Sequence, residues 1–583
     1  MQFKIFANYL ERLENTTKRL EITTVLAKMI KELDTEEVDK AIYLSLGYLS
    51  APFNTPKFNM AEKMLVKVLS ETLNKTSDQI ESLYGKSGDM GNVFLDLDNK
   101  EESNITIQEV HTKLMGIAKT EGSGSQESKI YKTKGLLENL DKLSGKYVLR
   151  IILGTTRLGF TELTVIDALA EYLGNKGFKT QIEQKYNMHP DIGRIAKELK
   201  HTGIEGLDDI KIEPGIPILL QKAQRVKSFE EVLKRMETTS LEYKLDGTRV
   251  QMHLDRNNTL NKKAASLFEE NTSTYLIKTF TRNLEDTTQM YPDLLEGAKK
   301  QINADSIILD GEAIGYNPHT GVFLPFQEMM QRKRKHGVKE MTKEIPLRYF
   351  VFDILYLNGE NLMHLPLEKR REMLKTAIKT GDTIALSEHV ETKDPEKLYE
   401  YFDSAKEKGL EGLIAKNPQD QYQAGARSYS WIKLKVADEK LLEDSVDCVI
   451  LGYYFGKGAR AKFGIGGLLL GIYDEETETF KTISKLGTGL TEEELELIKG
   501  MCDKYKIKEL PKNVLMNKMF EPDVFISPQI VLEVGSDEVT KSPSHSAGYA
   551  LRFPRMLKVR TDKSATQSTS LKEIEGMYKK KRT

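Results

Sequence analysis

The chain has 583 residues, with Lys+Arg 86 against Asp+Glu 87 and a formal net charge of -1. At about 150 residues per domain this length implies three or four domains, and 39% hydrophobic residues with 41 Gly and 17 Pro exclude a collagen-like or broadly disordered chain. The charge balance excludes a protein that is basic throughout, but a basic groove balanced by acidic surface elsewhere remains compatible with it. Two cysteines, Cys448 and Cys502, build neither a disulfide framework nor an all-cysteine zinc site, and they point to a reducing compartment. The N-terminal stretch has charges every few residues and lacks the apolar core of a signal peptide. The longest apolar runs, such as 466–473, fall far short of the ~20 residues that span a bilayer. A soluble, cytoplasmic protein is expected.

Residues 1–212 read as all-helical. Apolar residues recur at three and four in 20–33, 61–73 and 160–173. The Gly/Ser/Lys-rich segment 118–134 reads as a loop between helices. The texture changes at 212–220, where Pro214, Gly215 and Pro217 punctuate the chain and β-branched stretches begin. Segments 241–254, 274–282, 306–316, 348–357 and 412–417 read as strands, and 367–378 as a helix between them. Residues 213–438 are therefore expected to form a mixed α/β domain. From 439 onward, short strands at 446–454, 466–474, 479–487 and 530–535 suggest a small β-barrel of the OB type. The end, 571–583, reads as a helix with a basic tip.

The sharpest string is EYKLDGTR, 242–249, in which Lys244, Asp246, Gly247 and Arg249 form K-x-D-G-x-R. Average usage yields those four residues at that spacing in roughly one chain in a hundred of this length. The bland alternative is a surface turn bent by Asp-Gly. The chemistry that fits is attack by a lysine amine, which must first lose its proton; neighbouring cations or a metal favour the neutral form. Lys416, Lys433 and Lys435 supply cations, and Glu312 and Glu411 supply carboxylates for a divalent metal. Taken singly these are ordinary: Glu312 could follow an Asp-Gly turn, and alternating lysines usually face solvent.

As an ordered set they are not ordinary. EYKLDGTR is followed by FTRNLEDTTQMYPDL (280–294), ILDGEAIGY (308–316), RYFVFDILYLNG (348–359), EGLIAK (411–416), YQAGARSYSWIKLK (422–435) and YALRFPRMLKVRTDK (549–563). This series resembles the covalent nucleotidyltransferases, specifically ATP-dependent DNA ligases of the archaeal and eukaryotic replicative type. GDMGNVF (88–94) and RLGFTELTVIDALA (157–170) resemble their DNA-binding domain, so the resemblance covers nearly the whole chain.

The resemblance implies an all-α DNA-binding domain (1–212), an ATP-grasp-like nucleotidyltransferase domain (213–438) and an OB-fold domain (439–583). It implies Lys244 as the adenylated lysine, Glu242 as the reader of the adenine amino group, and Arg249 as a ribose contact. Arg282 is implied at the bound phosphate, Phe352 stacked on adenine, and Glu312 and Glu411 at ribose and metal. Lys433 and Lys435 are implied at the α-phosphate, with Lys416 and Arg427 near them. Arg552 and Arg555 are implied to orient pyrophosphate during lysine adenylation, with the stretch 435–444 as the flexible joint of a moving C-terminal domain. The implied cofactors are ATP and Mg²⁺, with Mn²⁺ as an alternative. The implied partner is nicked double-stranded DNA, bound by a monomer. A sliding clamp is common in the family, but the nearest match to its docking motif, Gln2 to Tyr9, has Asn8 where an aromatic is required.

One feature departs from the family pattern. Segment 254–276 is over-long for a hairpin and reads as a surface elaboration. RNA ligases and GTP-using capping enzymes share the lysine motif, but the long helical N-terminus and the LRFPR ending speak against both. An NAD-dependent ligase needs a zinc-cysteine cluster that Cys448 and Cys502 cannot build. A non-catalytic DNA-binding scaffold is disfavoured by the intact lysine and carboxylates.

Overall fold

The computed structural model describes residues 1–226, 229–258, 275–324, 326–332, 338–408, 410–435, 445–456, 458–487 and 490–580. Most of the 254–276 extension (259–274), nearly all of the 435–444 joint (436–444) and the basic tip (581–583) therefore lie outside the described residues. The chain divides into two compact units, Met1–Lys435 and Val436–Thr583. No helix among the described residues is long and apolar enough to cross a membrane.

The first 202 residues form twelve α-helices around one apolar core. Each helix buries the stripe its period predicts: Phe3–Glu14 buries Phe3, Phe6, Leu10 and Leu13. Capping boxes at Thr76/Gln79 and Thr106/Glu109 satisfy orphan N–H groups at two helix starts. Asp89 links the two segments that resemble a DNA-binding domain. It caps the helix Met90–Leu97 and pairs with Arg150 at 2.7 Å and Arg157 at 2.9 Å.

The loop expected at 118–134 is mostly helix, spanning Ser125–Leu137. Its inward face includes Lys129 and Thr133, whose polar atoms are satisfied locally. Lys129 Nζ donates to the Phe58 carbonyl at 2.6 Å, and Thr133 Oγ1 donates to the Lys129 carbonyl at 2.7 Å. Buried polar residues at core positions hid the apolar period.

Among the described residues, eleven strands follow in the same unit: β1 Lys222–Arg225, β2 Thr239–Lys244, β3 Thr248–Asp255, β4 Leu276–Thr281, β5 Ser306–Gly315, β6 Leu347–Leu357, β7 Glu360–Asn361, β8 Ile384–Leu386, β9 His389–Thr392, β10 Gly412–Lys416 and β11 Arg427–Lys435. They build two sheets, ordered β1-β11-β10-β2-β9 and β4-β3-β5-β6-β7, with β8 beside β6. The expected strands are all present, but 241–254 is two strands rather than one. β2 and β3 belong to different sheets, and Asp246-Gly247 carries the chain between them. Glycine is required there because a Cβ on Gly247 would lie 2.4 Å from the Ala313 carbonyl oxygen of β5. Asp310-Gly311 makes no turn, since β5 runs straight through it.

The second unit holds β12 Val446–Tyr454, β13 Gly467–Asp474 and β14 Thr479–Leu486, paired antiparallel in that order. It also holds β15 Lys506–Ile507, β16 Val514–Leu515, β17 Val524–Ile526, β18 Val531–Gly535, β19 Glu538–Lys541, β20 Tyr549–Arg552 and β21 Arg555–Val559. β12 is the hub, pairing with β13, β17 and β18. Its nine residues alternate between two apolar clusters: Val446, Cys448 and Ile450 enter one, Val449 and Leu451 the other. Cys448 and Cys502 are both buried free thiols. The terminal helix Leu571–Lys580 is not a solvated tail, because Ile574 is fully buried in this core.

Candidate active site

A cavity of about 690 Å³ is lined by residues of both sheets in the first unit. It brings together Glu242, Lys244, Arg249, Arg282, Glu312, Phe352, Lys416, Arg427, Lys433 and Lys435, which the sequence singled out across nearly 200 positions. The strand period explains this gathering. Glu242 and Lys244 are two apart on β2, and Lys433 and Lys435 are two apart on β11, so each pair shares a face. Register does the rest: Gly412 of β10 sits opposite Lys244 on one side and Lys435 on the other.

At one end, Glu411 lies between two lysines. Its Oε2 is in direct contact with Lys244 Nζ, and its Oε1 is 2.6 Å from Lys435 Nζ. Burial raises the Glu411 carboxyl, but the two lysines outweigh it and hold the pKa below the ordinary value. Glu312 faces the same region without a hydrogen-bond partner among the described residues. Burial pushes its pKa up to about 8, although Lys244 and Arg249 pull against that. Lys433 is lowered by burial and by the like charges of Lys435, Lys244, Arg427 and Arg282. The arrangement concentrates positive charge, and among the described residues Lys433, Arg427, Arg282 and Lys222 have no carboxylate partner. Such a cluster is built for a polyanion.

The Glu411-Gly412 step explains the geometry. Gly412 has φ +141°, and a Cβ there would sit 2.0 Å from the Leu434 carbonyl oxygen. Gly412→Ala is therefore expected to force β10 off β11 beside Glu411 and Lys435. Thermal or denaturant unfolding should show a loss of at least about 2 kcal/mol, together with loss of activity. Unchanged stability would contradict the close approach.

At the other end, Lys416 departs from expectation. It is not with Lys433 and Lys435 but pairs with Glu242 at 2.7 Å, 4.2 Å from the centroid of Phe352 and 4.3 Å from that of Trp431. Opposite Trp431 in the register, it sits four residues along β10 from the level of Lys244. Burial lowers its pKa, with Glu242 opposing. Arg249 also differs from a simple ribose contact. Its Nε and Nη2 hold the Asp310 carboxylate at 3.0 and 2.6 Å, and Nη1 donates to the Gln221 carbonyl at 2.6 Å. Nη2 also reaches the Tyr422 hydroxyl at 3.5 Å, so four of its five N–H donors are engaged within the protein. Its guanidinium lies 5.4 Å from the Phe352 centroid and 5.3 Å from that of Trp431.

Several site residues escaped the sequence reading. Asp310 shares the Glu312 face of β5 by the two-residue period, a signal that was available. Tyr422 donates to Asp310 at 2.9 Å, and Lys222 lines the cavity from β1; neither carries a local pattern. Arg552 and Arg555 belong to the second unit, where they pair with Glu538 at 2.7 Å and Asp537 at 3.0 Å.

Comparison with known proteins agrees with this geometry. Residues 2–170 match the DNA ligase N terminus, 269–435 the ATP dependent DNA ligase domain, and 461–563 the ATP dependent DNA ligase C terminal region. The chain is 41% identical to a probable DNA ligase of Dictyoglomus turgidum, over 99% of this chain and 98% of that one. It is 35% identical to DNA ligase 1 of Methanosarcina mazei, over 99% of each. The solved structure Pmar-Lig_PreS3 shares the fold at a TM-score of 0.56 and 15% identity, covering 95% of this chain and 99% of that chain. With a lysine at the anionic-ligand end of a two-sheet cavity, and relatives matched along its whole length, the chain belongs to the ATP-dependent DNA ligases, nucleotidyltransferases that seal nicks in DNA through a covalent lysyl-AMP.

Proposed function

We propose that ATP lies in the cavity with its base between Phe352 and Glu242 and its α-phosphate at Lys244, Lys433 and Lys435. The observation that carries this reading is the polarity of the cavity: an aromatic, paired-charge end at Phe352, Lys416 and Glu242, and a cation-rich end where Lys244 and Lys435 share Glu411 while Lys433, Arg427, Arg282 and Lys222 have no carboxylate partner among the described residues. Glu242 accepts from the exocyclic amino group of adenine. Lys416 Nζ pairs with Glu242 at 2.7 Å, and with three N–H donors on the ammonium it retains one for a ring nitrogen on the same base edge. Arg249 holds the floor through Asp310, and Glu312 faces the ribose.

Lys244 Nζ attacks the α-phosphorus. The N–P bond forms, the P–O bond to the β-phosphate breaks, and pyrophosphate leaves with that electron pair while Nζ gives up its proton. Glu411 positions the amine by direct contact. Lys433 and Lys435 neutralise the transferring phosphoryl group, the main demand of this chemistry. Glu312 and Glu411 would hold a magnesium or manganese ion, since magnesium commonly takes one or two carboxylates and substrate phosphates. When bound, it supplies further charge neutralisation at the phosphates. A 5′-phosphate oxygen of nicked DNA then displaces Lys244 from AMP, and the 3′-hydroxyl displaces AMP to close the strand. Peptide mapping after incubation with ATP should find AMP on Lys244.

In this reading residues 1–212 bind DNA, 213–438 form an ATP-grasp-like adenylation domain, and 439–583 form an OB-fold domain. Arg552 and Arg555 serve the first step alone. Arg552→Ala with Arg555→Ala should slow AMP-adduct formation by about a hundredfold or more, as lost cations at a transferring phosphoryl group do. The same protein should seal pre-adenylated nicked DNA near the normal rate. An equal loss in both assays would remove the step-specific role.

A further inference from the structure

Arg371 approaches Glu242 from outside the cavity. It lies on the helix Leu367–Ala377, its side chain is 6% exposed, and it is not among the residues lining the cavity. Its Nη1 donates to Glu242 Oε1 at 2.7 Å. Its Nη2 donates to the Ser387 carbonyl at 2.8 Å and to His389 Nδ1 at 2.8 Å. That nitrogen must accept, so the imidazole carries no proton there. Burial and the neighbouring Arg371 push the His389 pKa down to about 4, in keeping with this. His389 faces Glu242 across the β2–β9 register, so one guanidinium fixes the carboxylate, the strand beside it and the ring opposite it.

The stoichiometry is the informative part. One carboxylate meets two buried cations, and both lie 2.7 Å from the same oxygen, Oε1. Oε2 has a single protein partner among the described residues, Ser387 Oγ at 3.3 Å, and a carboxylate oxygen has capacity for another hydrogen bond. Lys416 Nζ lies 2.7 Å from Oε1, and an ammonium carries three N–H donors, so this contact leaves it donors to spare. The pair thus presents one open acceptor and one unspent donor to the cavity. Adenine offers a donor amino group beside an acceptor ring nitrogen; guanine offers an acceptor carbonyl beside a donor ring N–H, the inverse pattern.

We propose that Arg371 is a positioning residue that sets the preference for adenine over guanine, by holding the Glu242 carboxylate through Oε1 so that Oε2 stays aimed at the base edge beside Lys416. This rests on the assignment of Glu242 and Lys416 to the base edge. Without Arg371, Glu242 loses the hydrogen bond that ties its carboxylate to Ser387 and His389. Oε2 is then no longer held toward the base, Lys416 follows the carboxylate it is paired with, and the edge pattern that distinguishes the two purines is lost.

The test uses the full-length protein in excess over α-labelled ATP or GTP, with the second-order rate of covalent adduct formation measured for each. Wild type, Glu242→Gln, Arg371→Met and Arg371→Lys are compared, with thermal unfolding of each. Arg371→Met should lower the ATP rate by about tenfold to a hundredfold, the range for losing a hydrogen bond to a charged group. The GTP rate should fall much less, so the ATP:GTP ratio collapses. Arg371→Lys keeps the charge but not the fork, and should lower the ratio by several-fold; it tests the proposal even if the methionine variant does not fold. Equal proportional losses for both nucleotides, in a background where Glu242→Gln does collapse the ratio, would make Arg371 a helix-to-sheet staple and overturn the proposal. A Glu242→Gln protein with its preference intact would instead overturn the base-edge assignment beneath it.

Discussion

Lys244→Ala is expected to abolish the covalent AMP adduct, lowering its rate of formation by at least about ten-thousandfold, because the variant has no nucleophile to trap AMP. Lys433 and Lys435 lie in the same cavity, but Glu411 contacts Lys244 at one oxygen and Lys435 at the other, so the reacting position is specified by more than proximity to a phosphate. Lys244→Arg should be equally inactive, since a guanidinium stays protonated at any working pH. Both variants should still bind nicked DNA, whose backbone contacts supply most of the affinity and are independent of one amine. Both should close pre-adenylated nicks, because the final displacement of AMP by the 3′-hydroxyl does not use the lysine as nucleophile. Gel analysis after incubation with labelled ATP reads the first outcome, and a nick-closure assay reads the last. An AMP adduct of normal stability on Lys244→Ala would move the nucleophile to another lysine.

Glu411→Ala should cost about a hundredfold to a thousandfold in adduct formation, with two separable parts. One is positional: two lysines that share a carboxylate are left facing each other without it, and Lys244 loses the contact that fixes its nitrogen. The other is metal affinity, and that part should recover as magnesium is raised. Glu312→Ala, which removes a carboxylate with no protein partner among the described residues, should show mainly the second part. Titrating magnesium against adduct rate in both variants separates the two. Wild-type rates for both proteins at limiting magnesium would contradict the assignment of these carboxylates to the metal.

The sequence by itself singled out residues that the fold gathers around one cavity. A two-residue period puts Glu242 with Lys244 and Lys433 with Lys435, Asp-Gly marks the sharp passage after the lysine, and the order of seven short strings identified the family. It also determined the helical N-terminal region and the strands of both later parts, because amphipathic period is a local property of the chain. What it misread was the helix Ser125–Leu137, where Lys129 and Thr133 occupy inward positions that only their buried hydrogen bonds make tolerable.

Tertiary structure alone decided which end of the cavity each charge serves. Lys416 reads from the sequence as one more phosphate lysine, and the register of β10 against β2 and β11 sends it to Glu242 instead. Arg371 sits in a run of helical charges that looks solvated, yet it meets Glu242 across 129 positions of sequence. Asp310 engages Arg249 across 61 and Tyr422 across 112. Pairings of that kind leave no periodic trace, because the energy that selects them comes from removing both partners from water together, and which partners are removed together is settled only when the sheets and helices pack.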